Sequence, residues 1–448
     1  MELLDLPARH LADALRRGES TVGSHLKGVF ERIRGLDSYY QAFSQLRVDE
    51  ALADAAHLDG VPAEDRDGLP LFGVPVAIKE EMEVAGLVTT LGGRGNSAAA
   101  PVDSEVVARL KRAGAVIVGK THMPEFGQAP YTDGAWGATK NPWHADRSPG
   151  GSSGGSAVAV ATGMVPAALG GDGGGSIRVP AAWTGIAGIK PTRGAVPTEP
   201  IPHLWFQLGT FGPLARDFDD VALLLGVIAP TMEQPTAPER LRVGWTLECT
   251  VAGIRPDPLI AEAVEHAART LATDGHDVHR GQFHWEGSPA TLLVQSWAGM
   301  RDEADRMEHP ARLEKRSRQV AALGRLLPDA VVRWALRSND QIEAASRQVF
   351  EGLDILLTAV TPQLPPPTPQ LHHLGTVRSQ IESTSAVSFT GYWNMAGNPA
   401  ASVPVGLTPD GLPLAVQVIG AHGKDHLVLD VARRLASTLT PVDRGNRR

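Results

Sequence analysis

The feature that most constrains this chain is a pair of glycine–serine clusters, Gly150-Gly151-Ser152-Ser153-Gly154-Gly155-Ser156 and Gly170-Gly171-Asp172-Gly173-Gly174-Gly175-Ser176-Ile177-Arg178. A flexible linker would run on in the same composition. These clusters instead bracket Ala157-Val158-Ala159-Val160-Ala161, a helix-competent apolar run, and Val165-Pro166-Ala167-Ala168-Leu169, which reads as a buried strand. Glycines beside apolar elements mark backbone held in unusual conformations or approached closely by another group. A phosphate-binding loop fits poorly, because no Lys-Ser or Lys-Thr closes either cluster and Lys120-Thr121 lacks the upstream glycine. A dinucleotide loop lacks its downstream acid. The window Gly150-Gly151-Ser152-Ser153-Gly154 satisfies the G-x-S-x-G elbow of serine hydrolases. Its acid and histidine partners would be Asp354 or Asp410, then His422 or His426, and nothing in their context singles them out.

The rest of the chain reads as one α/β unit without internal repeat or long linker. Leu11, Leu15, Leu26, Val29 and Ile33 recur at helical spacing, so the first fifty residues are expected as amphipathic surface helices, continued by Ala51 to Leu58. A loop is expected over 60–68. Val74 to Ile78 is an apolar strand ending at Lys79; Ser104 starts a helix to Arg112; Ala115 to Val118 is a second strand. Asp217 to Ile228 and Pro258 to Leu271 are helical, and Leu241 to Trp245 is a strand between them. Residues of about 285–350 are helical and Arg-rich. Strands follow at Ile355 to Thr358, Ala400 to Val405 and Leu414 to Ile419, with a Pro-rich loop from Pro362 to Pro369 and a closing helix from Asp425 to Leu435. Strands alternating with helices predict a mixed, twisted sheet covered on both faces.

Bulk properties remove several function classes. At 448 residues, 42% hydrophobic and 21% charged, the chain is of ordinary globular composition, and its net charge of −8 carries no basic footprint for nucleic acid or a membrane surface. No apolar run reaches the about 18 residues of a membrane span. Met1-Glu2-Leu3-Leu4-Asp5 lacks the basic-then-apolar order of a signal peptide, so a cytoplasmic location is the default expectation. Cys249 is the only cysteine and excludes an intrachain disulfide; it is read as a buried structural thiol. The 15 histidines, His372-His373 included, show no metal-ligand spacing, so no metal and no cofactor are expected.

Both clusters and Lys79 find a common explanation in a resemblance. Gly150 to Ala157, Gly174 to Ala182 and Gly185-Ile186-Ala187-Gly188-Ile189-Lys190-Pro191-Thr192 are similar, in residue type and register, to the signature of the amidase signature family. Gly73 to Lys79 resembles its lysine strand; Gly119 to Phe126, Lys140 to Trp143, Gly212 to Arg216 and Asn394 to Ala400 resemble further family segments. The resemblance spans roughly residues 5–440. It implies the amidase signature fold in a single domain over 1–448: a helical region over about 1–60, a signature core over about 70–230 and a helical cap over about 285–350.

The resemblance also implies a chemistry. A serine hydroxyl is a poor nucleophile until a base takes its proton. Ser176 is the implied nucleophile, Ser152 the relay and Lys79 the base. Lys79 has to be neutral to accept a proton, which a desolvated strand end favours, although a strand-end lysine is by itself more often solvated or salt-bridged. A cis peptide is implied between Gly151 and Ser152. The interval to Ser176, carried from the family pattern, selects Ser152 over Ser153, which is left in support. The amides of Gly173, Gly174, Gly175 and Ser176 are the expected oxyanion donors. Asp172 and Arg178 are read as a mutual brace.

Where the family usually has Gly-Thr-Asp-Thr/Ile-Gly-Gly-Ser, this chain has Gly171 and Gly173, and the two missing side chains predict a looser oxyanion loop or room for a bulkier substrate. His122 stands where an Asn is common and is either a substrate contact or a surface or capping residue. Trp205, Phe206, Tyr392 and Trp393 fall in segments that border the family's acyl pocket and suggest an aryl or hydrophobic acyl group; each is equally compatible with core packing. The implied function is an amidohydrolase cleaving an amide, anilide or carbamate (urethane) through an acyl-enzyme. An ester hydrolase using the same residues and a glutaminase-type subunit of an amidotransferase are the alternatives. The expected partner is a small-molecule amide or carbamate, with the chain a monomer or homodimer.

Overall fold

Short apolar runs rich in Val, Ile, Leu and Ala build the centre of the molecule, because such runs can be buried on both faces of a sheet. The computed structural model describes residues 2–230, 232, 238–251, 253–283, 289–368 and 371–439. Its strands are β1 (Phe43–Leu46), β2 (Pro75–Lys79), β3 (Val116–Thr121), β4 (Asp133–Gly134), β5 (Gly137–Ala138), β6 (Ala167–Asp172), β7 (Ala187–Lys190), β8 (Thr210–Ala215), β9 (Arg242–Trp245), β10 (Asp277–Arg280), β11 (Ile355–Ala359), β12 (Ala400–Leu407) and β13 (Pro413–Gly420). Eleven of them form one sheet in the order β1-β3-β2-β6-β8-β7-β12-β13-β11-β9-β10; β4 and β5 pair separately. The sheet is mixed. β3, β2 and β6 run parallel, β6 to β11 alternate antiparallel through β8, β7, β12 and β13, and β11, β9 and β10 are parallel again.

Side chains alternate across this sheet and feed two cores. Val76 and Ile78 of β2 pack on one face with the helices Phe218–Ile228, Pro258–Thr273 and Asp425–Thr438, while Ala77 packs on the other with Val22–Tyr40 and Gly154–Ala161. Helix starts follow their caps: Asp217 Oδ1 accepts from the amides of Asp219 and Asp220, and Asp257 caps a helix whose first residue is Pro258. No helix among the described residues is long and apolar enough to cross a membrane.

The α/β fold with a mixed sheet flanked by helices is the one expected, with local differences. The first fifty residues are not all helical: Phe43–Leu46 forms β1, pairing antiparallel with β3 across a register shift between Phe43 and Gln45. Four residues with a bulge carry no readable alternation, so only the partner strand decides their state. The loop over 60–68 contains a 3-10 turn, Ala63–Gly68. The second strand runs on to Thr121, and the strands β7, β8 and β10 are too short or too glycine-rich to be seen in the pattern. The Arg-rich stretch forms the helices Pro289–Arg306, Lys315–Arg325 and Asp329–Glu351; residues 284–288 and Pro369 lie outside the described residues. Cys249 is half-buried rather than buried, with its Sγ 3.5 Å from the Val251 carbonyl and its thiol pushed up by burial.

Candidate active site

Strands β2 and β6 are parallel neighbours, so their carboxyl ends open on the same edge of the sheet, where α/β folds commonly bind ligands. β2 ends in Lys79 and β6 in Asp172, followed by the loop 173–177. Lys79 is 1% exposed. Its Nζ donates to Ser152 Oγ at 2.8 Å and to the Gly171 carbonyl at 3.1 Å, and lies 3.0 Å from Glu81 Oε1. The Glu81 contact is close enough for charge pairing without being aligned as a hydrogen bond, since Oε1 has no hydrogen-bond partner among the described residues.

Ser152 sits on the turn before the helix Gly154–Ala161, after a cis peptide from Gly151. Glycine is required at 151 because a Cβ there would stand 2.7 Å from the Tyr131 amide nitrogen. Ser153 ties the two clusters together. Its N–H donates to the Ser176 carbonyl at 3.1 Å, its hydroxyl donates to the Gly171 carbonyl at 3.1 Å, and that hydroxyl oxygen lies 3.3 Å from the Gly171 N–H. Ser176 is half-buried, and among the described residues its hydroxyl has no protein hydrogen-bond partner. Lys79, Ser152 and Ser176 line one small cavity with Gly127, Gly173, Leu204 and Trp205. Candidate catalytic hydrogen bonds are commonly looser before substrate binds.

Asp172 and Arg178 form a fully buried pair, Nη2 to Oδ1 at 2.8 Å and Nε to Oδ2 at 3.0 Å. Burial pushes the Asp172 carboxyl up, but the guanidinium and its hydrogen bonds prevail and hold it well below the usual carboxylate range. Asn394 donates to both the Asp172 carbonyl and carboxylate, and Arg178 donates to Gln417 Oε1 at 2.7 Å and the Thr390 carbonyl at 3.1 Å. The carboxylate also accepts the amides of Gly175 at 2.7 Å and Ile177 at 3.1 Å.

That last bond of Gly175 corrects one expectation. The Gly175 N–H is committed to Asp172 and cannot also face an oxyanion in this arrangement. Gly175 has φ +130°, and a Cβ on it would meet Thr390 Oγ1 at 2.3 Å, so its role is conformational. The amides of Gly173, Gly174 and Ser176 have no protein acceptor among the described residues.

A second expectation also changes. The space freed by Gly171 and Gly173 is filled: a Cβ on Gly171 would come within 1.8 Å of Glu81 Oε1, and one on Gly173 within 3.0 Å of the Trp205 ring. The aromatics divide accordingly. Trp205 borders both the small cavity and an adjoining one of about 290 Å³, whose walls include Leu91, Met123, Phe126, Leu204 and Met307, with Glu81 and Glu83 at its edge. Residues 204–207 all have positive φ, from 32° to 65°, a rare run for side-chain-bearing residues, and it turns Leu204 and Trp205 inward. Phe206 instead stacks on His203 at 4.3 Å. Tyr392 and Trp393 are buried in the hydrophobic cluster around Phe350 and Leu356, outside these cavities. Their helix, Gly391–Ala396, is held by Asn394, which leaves the two rings facing the core.

His122 is stacked on Trp136 at 3.6 Å and lines a third cavity, not the one shared by Lys79, Ser152 and Ser176; burial pushes its imidazole down to about 4. Glu81, Met123, Phe126 and Met307 had no signal in the sequence beyond two of them lying in family-like segments. They reach the cavity from three separate stretches of chain.

The family described as Amidase matches residues 25–429. AmiB2 of Mycobacterium tuberculosis, a putative amidase, is 39% identical over 443 residues, covering 96% of this chain and 94% of that protein. In Lysinibacillus sphaericus, the A subunit of glutamyl-tRNA(Gln) amidotransferase is 31% identical over 476 residues, covering 96% of each. The structure of a 6-aminohexanoate cyclic dimer hydrolase matches with a TM-score of 0.90 at 28% identity, over 99% of this chain and 98% of that one. These likenesses put the chain among the enzymes that hydrolyse C–N bonds. It belongs to the amidase signature family.

Proposed function

We propose that the protein hydrolyses small amides through an acyl-enzyme on Ser176, with Ser152 and Lys79 as the proton relay. The observation that carries this reading is the 2.8 Å contact from the buried Lys79 Nζ to Ser152 Oγ, on the same cavity as Ser176. Ser176 Oγ attacks the carbonyl carbon and passes its proton to Ser152, which passes its own to Lys79 Nζ. The developing oxyanion is held by the amides of Gly173, Gly174 and Ser176. The relay then runs backwards to protonate the leaving amine, and water attacks the acyl-enzyme by the same route. Asp172 and Arg178 hold the loop that carries these amides. The helices between Pro289 and Glu351 act as a cap on one catalytic domain, since Met307 and Glu303 border the pocket.

The apolar walls of Leu91, Met123, Phe126, Leu204 and Trp205 favour an aryl or hydrophobic group on the substrate. The same chemistry extends to carbamates and esters, which pass through the same tetrahedral oxyanion. A glutaminase-type role is the second reading, favoured by the likeness to the amidotransferase protein of Lysinibacillus sphaericus. Against it, the arginine that borders the pocket, Arg306, is paired with Glu303 at 2.7 Å, leaving no ready cation among the described lining residues for a glutamine carboxylate. The test is hydrolysis of acetyl, phenylacetyl and long-chain p-nitroanilides, an aryl carbamate and glutamine by wild type, Ser176→Ala and Lys79→Ala. The proposal expects wild type to cleave an anilide and both variants to fall by about 10⁴-fold or more. Full activity in Lys79→Ala would refute the relay, and cleavage of glutamine alone would favour the second reading.

A further inference from the structure

A third cavity, of about 450 Å³, lies behind the substrate pocket. The segment from Met123 to Gly127 is the wall between them: Met123 and Phe126 face the substrate pocket, Glu125 faces the third cavity, and Asn96 borders both. Ser44, Gln45, Thr90, Asn96 and Glu314 in the lining of the third cavity are hydrogen-bonded within the fold, but two buried polar atoms are not. Glu125 is 0% exposed, and while its Oε2 accepts the Glu314 N–H at 2.8 Å, its Oε1 has no hydrogen-bond partner among the described residues. An unsatisfied buried polar atom is costly and is retained where a ligand or water completes it. Among the described residues the buried Trp136 Nε1 is also without a hydrogen-bond partner. Arg94 and Arg312 line the same cavity from exposed positions, and among the described residues neither is in an ion pair. The stacked rings of His122 and Trp136 add a flat wall.

We propose that this cavity is a binding site for a small aromatic monocarboxylate, its carboxylate held between Arg94 and Arg312 and hydrogen-bonded by Glu125, its ring against Trp136. Two unpaired guanidiniums suit a carboxylate in bidentate fashion. A multiply charged phosphate is disfavoured by the carboxyl groups of Glu125 and Glu314, which line the same cavity. Glu125 can donate only while protonated. Burial, reinforced by the charge of Glu314 and opposed by Arg316 and the Ser317 hydroxyl, pushes its carboxyl up to about 7, whereas His122 stays neutral. Arg94 and Arg312 are the two arginines in the lining of the same cavity. Affinity therefore falls as pH rises through about 7, because an ionised Glu125 repels the ligand.

The test is calorimetric titration of benzoate, and separately of inorganic phosphate, into the wild-type protein, the double variant R94Q/R312Q and Glu125→Gln. The proposal expects saturable millimolar benzoate binding that weakens at least about tenfold in the double variant while anilide hydrolysis is unchanged. It expects Glu125→Gln to bind benzoate without the decline on going from about pH 6 to about pH 8, a readout that misfolding would not produce. Undiminished binding in the double variant, which would mean that benzoate enters only the substrate pocket, overturns it. So does absence of saturable binding at about 50 mM, or phosphate binding tighter than benzoate.

Discussion

The Glu81 carboxylate lies against the α-carbon of Gly171, where a Cβ would stand 1.8 Å from Oε1, and the same oxygen is 3.0 Å from Lys79 Nζ. The carbonyl of Gly171 also accepts from Lys79. One glycine thus sets both the position of an acid and the environment of the candidate base. Gly171→Ala is expected to destabilise the fold by about 1–3 kcal/mol through overpacking. Glu81→Ala in the same chain should recover part of that loss, with a coupling of at least about 0.5 kcal/mol in a double-mutant cycle of urea midpoints. Additive losses would mean that the two positions do not share the space.

Asp172 and Arg178 predict an acid-side signature. The folded Asp172 carboxyl is held below its ordinary value of 3.8, so its stabilisation is complete above about pH 4 and is lost as pH falls through the lower folded value. Asp172→Asn leaves a buried guanidinium without its counter-charge and should cost about 3–5 kcal/mol at neutral pH. Thermal melts from about pH 7 to about pH 2 should show the gap between wild type and variant narrowing only at the acid end. A gap independent of pH would sink this account.

Glu125 works with the opposite sign. Its folded carboxyl is raised from 4.5 to about 7, so the folded protein holds a proton that the unfolded chain has lost between those values. Wild-type stability should decline across that window and level off above it, by an amount on the order of 3 kcal/mol. Glu125→Gln removes the titrating group, and the decline should disappear in denaturation curves measured at pH steps of about one unit.

Trp205 borders both the candidate catalytic cavity and its apolar extension. Trp205→Ala should raise KM for an aryl anilide by about tenfold or more while a small acetyl substrate is little affected, the scale expected when apolar contact is removed. Tyr392→Phe and Trp393→Phe, in the core, should leave that discrimination unchanged. Equal effects of all three on KM would return the two core rings to the pocket.

The glycine–serine clusters, the lysine strand and most helices and long strands were legible in the sequence because each depends on neighbours only a few residues away. Lys79, Ser152, Ser176, Asp172 and Arg178 stand in such local patterns, while their roles were what the family resemblance implied; the parallel pairing of β2 with β6 then brings Lys79 and Asp172 to one edge of the sheet. The pocket was not legible in this way. Trp205 and Tyr392 look alike as sequence, but a left-handed turn points one into the cavity, and a helix anchored by Asn394 packs the other into the core. Likewise, nothing local announced that Glu81 would occupy the room left by Gly171, or that Gly175 would give its amide to Asp172. Sequence by itself determined most of the helices, the apolar strands and the chemical groups they carry, since propensity, capping and alternation are short-range; the short strands β1, β7, β8 and β10 waited on their partners. Only the tertiary structure decided which groups share a cavity, because close packing between segments far apart in the chain assigns each buried volume to one side chain.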